Sequence, residues 1–110
     1  MQQLSVTQLQ AWCAGDERRP LLLDVREDWE AAVARIAPAE VATLHIPMSQ
    51  IPARLTEIAA TQPIVAYCHH GMRSLQVVAF LARQGYENVY NLAGGIDAWS
   101  CEADASVPRY

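Results

Sequence analysis

Residues 64–85, IVAYCHHGMRSLQVVAFLARQG, join two kinds of hydrophobic pattern across a single cysteine. Ile64-Val65-Ala66-Tyr67 is a short apolar run of strand-forming residues. After it, Leu75, Val78, Ala79 and Ala82, flanked by Val77 and Leu81, recur at helical spacing. The pattern predicts a buried strand over 64–67, a tight loop, and a helix from about Arg73 to Arg83 closed by Gly85. Cys68 therefore falls at the carboxyl end of the strand, before a helix N-terminus. Unpaired N–H groups and the helix dipole both favour negative charge there. In such surroundings a cysteine pKa drops from about 8.5 into a range of roughly 3.5 to 7.5. The alternative reading of Cys68 is a small buried hydrophobe at a strand end.

Working outward, strand and helix patterns alternate, as in an α/β domain. Ser5 and Gln8 form a capping-box pattern for a first helix with Val6, Leu9, Trp12 and Cys13 on one face, stopped by Gly15. Leu21 to Val25 is a continuous apolar strand, buried on both sides. Trp29, Ala32, Val33 and Ile36 then predict a helix with those residues inward, ended by Pro38. Leu44-His45-Ile46 suits a short strand. Pro47 and Ser49 precede a predicted helix with Ile51, Leu55 and Ile58 on one face, Pro52 lying in its first turn. Asn88 to Leu92 supplies a last strand, and Gly94-Gly95 turn the chain into a short terminal helix. No internal repeat or low-complexity segment interrupts this order.

The chain has 110 residues, the size of one domain, read as 1–110 with a core of about 4–100 and a loosely held tail over 101–110. Its net charge of −4 is spread over twelve carboxylates and eight arginines without a basic block. That distribution gives no footprint for nucleic acid or an acidic membrane. Met1-Gln2-Gln3 lacks a basic region and no long apolar run follows, so no signal peptide is read and a cytoplasmic location is expected. Cysteines at 13, 68 and 101 form no CxxC pair, which suits a reducing compartment.

Three segments carry a family resemblance. Cys68-x-x-Gly71-x-Arg73-Ser74 resembles the active-site loop of the rhodanese-like sulfurtransferases. Leu22-Leu23-Asp24-Val25-Arg26 resembles their early strand, and Asn91 to Trp99, with Gly94-Gly95, resembles their closing Gly-Gly-x-x-x-Trp signature. The segments occur in family order, and the resemblance spans roughly Leu4 to Ser100. It implies a three-layer sandwich with a sheet of four or five mainly parallel strands and helices on both faces. It also implies a Cys68 persulfide that moves sulfur from a small donor such as thiosulfate to cyanide, a thiol or a protein sulfur acceptor, without metal or organic cofactor. One departure stands out: Ala34 to Pro47 lacks the family's Gly-His-Ile-Pro-Gly-Ala-like run, and only Ile46-Pro47 fits it. That leaves the sulfur carrier intact and alters the acceptor surface.

On this reading His69, His70, Gly71, Met72, Arg73 and Ser74 form the substrate-binding loop around Cys68. Arg73 stands at the rim, where its fork of donors suits an oxyanion. Adjacent His69 and His70 are expected to splay apart, and no carboxylate or second cysteine completes a metal set with them. Instead they lend N–H groups and a partial positive charge that falls as pH rises. Asp24 and Arg26 are expected to support the loop by hydrogen bonds, and Trp29 and Trp99 to pack as core or pocket wall. Cys13 is read as inert core, and Cys101 as a thiol in the tail that could resolve a persulfide as a disulfide. Two other functions share the scaffold: a non-catalytic regulatory or sulfur-relay module, and a phosphatase or arsenate reductase. Four residues separate Cys68 from Arg73, whereas the phosphatase-like relatives carry five, so the loop is expected to fit one sulfur better than a phosphate.

Overall fold

The computed structural model describes residues 2–110. Five parallel strands form one sheet: β1 (Gln2–Leu4), β2 (Leu21–Asp24), β3 (Thr43–His45), β4 (Ile64–Tyr67) and β5 (Val89–Leu92), in the order β1-β5-β4-β2-β3. Four α-helices accompany them: α1 (Val6–Ala14), α2 (Asp28–Val33), α3 (Met72–Arg83) and α4 (Gly95–Glu102). β4 is central, in register with β2 through Leu21 opposite Ile64 and with β5 through Ile64 opposite Val89. Both central strands are buried along their whole length, so their side chains sort by parity into two cores. Leu21, Leu23, Ile64 and Ala66 face Val77, Val78 and Leu81 of α3. Leu22, Val65 and Tyr67 face Val6 and Leu9 of α1 and Ile96 and Trp99 of α4. The result is the expected α/β sandwich with helices on both faces.

Several elements follow the sequence closely. The capping box of α1 is complete, with Ser5 Oγ accepting from Gln8 N at 3.1 Å and Gln8 Oε1 accepting from Ser5 N at 2.8 Å. β4 spans the residues predicted for it, and α3 begins one residue early. The buried face of α3 is Ser74, Val77, Val78 and Leu81, so Leu75 and Ala82 turn further outward than their spacing suggests.

Other expectations fail for identifiable reasons. β1 escapes sequence analysis because two of its three residues are exposed glutamines at the sheet edge, which give no hydrophobic signal; its pairing comes from β5. The predicted helix after Pro47 is instead two short 3₁₀ turns, Met48–Gln50 and Leu55–Glu57. Pro52 has no N–H to continue an α-helical ladder, although Ile51 and Ile58 are still buried. α2 stops at Val33, three residues before Ile36, and turns the other way. Trp29 and Val33 are exposed, at 61% and 46%, while Glu30 and Ala31 are buried.

The cause is Arg26, whose guanidinium is wholly buried. Nε and Nη2 each donate to an Asp24 carboxylate oxygen at 2.8 Å, Nη1 to Glu30 O and Tyr110 Oη, and Nη2 also to Ala34 O at 2.6 Å. All five of its N–H groups are thus used, two of them on carbonyls at the end of α2, where the backbone becomes extended at Ala34.

The tail is also better held than expected. Ser100 Oγ donates to Val107 O, Arg109 pairs with Asp97 at 2.9 Å, and Tyr110 Oη accepts from Arg26 while donating to Glu30 Oε2 at 2.7 Å. Tyr110 succeeds because one hydroxyl matches both a buried donor and a buried acceptor.

Removing Arg26 leaves the Asp24 carboxylate buried and unpaired. Arg26→Leu should therefore lower unfolding free energy by about 3–5 kcal/mol in urea titration. A loss under about 1 kcal/mol, the scale of an exposed pair, would contradict the role given to this ion pair.

Candidate active site

Cys68 follows β4 at the carboxyl edge of the sheet, where open parallel sheets collect their ligands. It is 1% exposed. The loop after it is polarised. Its carbonyls turn away from the sulfur: Cys68 O accepts from Ile96 N at 2.9 Å and His69 O from Asp97 N at 3.1 Å, both in the first turn of α4. Its N–H groups turn toward the sulfur, with Gly71 N 3.1 Å from Sγ and Ser74 N 3.4 Å, and the Ser74 hydroxyl oxygen lies 3.3 Å from it. Burial alone would push the thiol pKa up. The donors from Ser74, Gly71 and Arg73 outweigh it and hold the thiol below its ordinary value.

Two glycines make this geometry feasible. Gly71 caps α3 at φ 103°, a left-handed conformation that aims its N–H at the sulfur. Gly95, at φ 61°, lets the start of α4 meet the loop backbone; a Cβ there would lie 2.5 Å from Cys68 O. Gly95 is therefore part of the site as well as of a turn.

Arg73 differs from its expected state. Its terminal nitrogens donate to the two carboxylate oxygens of Glu30 at 2.6 and 2.8 Å, joining α3 to α2. Sequence analysis missed Glu30, since an acidic residue in a predicted helix reads as solvated surface. Here the side chain is 4% exposed. The Arg73 guanidinium holds its carboxyl down to about 2 against the opposing push of burial, aided by Tyr110 O–H and Glu27 N–H.

His69 and His70 do not splay. Their rings stack at 3.9 Å, and the opposite pairing of His69 is a parallel stack on Tyr110 at 4.0 Å. Burial and neighbouring His70 push His69 below the usual imidazole range, which favours its neutral form. Met72, at 73% exposure, is the most open large apolar side chain of the loop.

Asp24 and Arg26 bind each other and brace α2, rather than hydrogen-bonding the Cys68 loop. Their influence reaches it through Glu30 and Tyr110. Asn91 of β5 was likewise missed as a site residue: its Nδ2 donates to Gly71 O at 3.1 Å and its Oδ1 accepts from Ser74 Oγ. Trp99 is core, whereas Trp29 lies on the surface in an edge contact with Tyr110. Among the described residues, no three His, Cys, Asp or Glu side chains gather as a metal site, and no helix is long and apolar enough to cross a membrane. A separate cavity of about 500 Å³, lined by residues including Leu4, Trp12 and Tyr90, contains none of the Cys68 loop.

The Rhodanese-like domain family model matches residues 5–102. The chain belongs to the rhodanese-like family. This rhodanese-like chain is 44% identical over 85 residues to a sulfurtransferase of Allochromatium vinosum, covering 77% of this chain and 76% of that protein. It is 30% identical over 101 residues to the thiosulfate sulfurtransferase GlpE of Coxiella burnetii, covering 92% and 91%. Among solved structures, a rhodanese-like domain protein from Staphylococcus aureus superposes with a TM-score of 0.81 at 27% identity, covering 100% of this chain and 99% of that one.

Two measurements test the electrostatics of this rhodanese-like site. In a Cys13→Ser/Cys101→Ser protein, alkylation of Cys68 by iodoacetamide should titrate clearly below the roughly pH 8.5 of a free thiol; an unshifted midpoint would refute the donor cradle. A Glu30 carboxyl depressed from 4.5 to about 2 stabilises the fold fully above about pH 4.5, and that contribution disappears as pH falls toward 2. Glu30→Gln should be less stable at pH 7 and lose less stability across that window, measured by urea unfolding at each pH.

Proposed function

We propose that this domain is a sulfurtransferase in which Cys68 carries the sulfur as a persulfide. The observation that bears most weight is the convergence of Gly71 N, Ser74 N and Ser74 Oγ on one buried sulfur atom. Such a cradle stabilises a thiolate before reaction and suits a second sulfur anion afterwards. The relatedness to proteins named sulfurtransferase and thiosulfate sulfurtransferase supports the same chemistry.

With thiosulfate as donor, the Cys68 thiolate attacks the outer sulfur. The new S–S bond forms as the sulfur–sulfur bond of thiosulfate breaks, and sulfite leaves with the bonding electron pair. The terminal persulfide sulfur then holds the negative charge. Cyanide or a thiolate attacks that sulfur, the Cys68 S–S bond breaks, and the thiolate returns. Each half-reaction is a displacement at sulfur and needs no net oxidant.

Gly71, Ser74 and the Arg73 backbone serve the anion in this scheme. His69 and Tyr110 wall the approach, and Met72 offers an apolar contact for the body of an acceptor. Arg73 recruits donor only with the N–H groups that Glu30 leaves free, namely Nε–H and one hydrogen on each terminal nitrogen. Its first task is to fix the loop against α2. Asp24 and Arg26 serve one step further back by holding α2 and Tyr110. A small thiol or cyanide, or a cysteine of another protein, fits as acceptor, in keeping with a cytoplasmic role.

Intact-protein mass after incubation with thiosulfate should show one added sulfur that cyanide removes with release of thiocyanate. Cys68→Ser should abolish both, while Cys13→Ser and Cys101→Ser retain most of each, and aryl phosphates should not be hydrolysed appreciably. Sulfur loading that persists in Cys68→Ser, or Cys68-dependent phosphatase activity in its place, would overturn the proposal.

A further inference from the structure

The Ser74 hydroxyl has one proton and two acceptors within reach. Its Oγ lies 2.5 Å from Asn91 Oδ1 and 3.3 Å from Cys68 Sγ. All three residues are buried, at 0%, 2% and 1% exposure for Ser74, Asn91 and Cys68. The Asn91 carboxamide cannot reverse to ease this competition, because its Nδ2 already donates to Gly71 O at 3.1 Å and to Gln3 Oε1 at 3.0 Å. Oδ1 is thereby fixed on Ser74. A carboxamide oxygen has no hydrogen, so the short O···O contact requires the Ser74 proton between the two oxygens. Ser74 Oγ then presents lone pairs to the sulfur, an arrangement that suits S–H and opposes S⁻.

We propose that Asn91 is a positioning residue for Cys68, holding the Ser74 proton away from the sulfur while Cys68 is a thiol and surrendering it when Cys68 becomes anionic. Only protons move. The thiol proton leaves to water, the Ser74 O–H turns from Asn91 Oδ1 to Sγ, and no bond between heavy atoms changes. Oδ1 is then buried without its donor, which offsets part of the stabilisation the cradle gives the anion. The functional meaning of this competition rests on Cys68 being the sulfur carrier: a sulfur anion held too firmly is a poorer nucleophile, and Asn91 limits the grip.

The charged and titratable groups around the cradle are His69 and His70 on the loop, Arg73 paired with Glu30 of α2, Tyr110 of the tail, Tyr67 and the Asp24–Arg26 pair beyond β4 and β2, and Asp97 of α4. None of them hydrogen-bonds the Ser74 hydroxyl or the Asn91 carboxamide among the described residues. Control of that proton therefore lies with Asn91 and the sulfur alone.

The test reads thiol ionisation, so it stands or falls separately from sulfur transfer. In the Cys13→Ser/Cys101→Ser background, the pH profile of iodoacetamide alkylation gives the Cys68 midpoint. Asn91→Leu removes the competing acceptor and should lower that midpoint by about half a pH unit or more, roughly threefold in the ionisation constant. In a Ser74→Ala protein the same substitution should produce no lowering. A residue that merely braced Gly71 and Gln3 would loosen the cradle when removed and raise the midpoint in both backgrounds. That result, or an equal lowering in both, overturns the proposal. Should Asn91→Leu fail to fold, the Asn91 13Cγ resonance of the otherwise unaltered side chain carries the test: it should move upfield with the Cys68 titration as Oδ1 loses its donor, and in Ser74→Ala lie upfield at every pH. A resonance in the Ser74 protein that ignores the Cys68 titration overturns the proposal equally.

Discussion

The polarity of the loop after Cys68 is the constraint on which the site depends. A backbone segment of a few residues has as many carbonyls as amide groups, and a sulfur anion tolerates only the amides. The chain resolves this by giving the Cys68 and His69 carbonyls to the first turn of α4, whose own N–H groups need acceptors. The loop amides are then free to face inward. This exchange demands close backbone contact, so Gly95 is part of the same solution as Cys68, although twenty-seven positions of sequence separate them.

A second layer holds that loop in place from the other side. Asp24 and Arg26 form a buried ion pair whose remaining donors tie the end of α2 and Tyr110. α2 in turn presents Glu30 to Arg73, at the base of α3. Through this chain of charges the end of β2, the tail and the helix that opens the cradle form one network. An isolated buried ion pair contributes little net stability, and its value lies in fixing one arrangement of its neighbours. Here the fixed arrangement includes the helix start that aims Ser74 N–H at the sulfur.

Charge is distributed around the site in an ordered way. Arg73 is neutralised by Glu30, His69 is pushed toward its neutral form, and the Arg26 charge is met by Asp24. What favours an anion at Cys68 is therefore short-range donation by oriented dipoles, with little net positive charge nearby. Oriented dipoles act on an atom at one place, whereas a net charge would attract anions over the whole rim. Here the donors of Gly71 and Ser74 act at the one sulfur atom of Cys68.

By itself the sequence determined where Cys68 stands and which elements flank it. Ile64–Tyr67 and α3 are legible because burial imposes strict periodicity on their side chains, and the Ser5 cap is legible because its partner lies three residues away. The tertiary structure alone decided the rest, for two physical reasons. Edge strands such as Gln2–Leu4 take their hydrogen bonds from a distant partner and need no hydrophobic pattern of their own. Polar partners such as Glu30, Asn91 and Tyr110 look like surface residues until packing removes water from around them. Whether Trp29 or Glu30 faced inward depended on Arg26 and Arg73, which lie in other elements, and no local periodicity carries the charge balance of groups brought together only by folding.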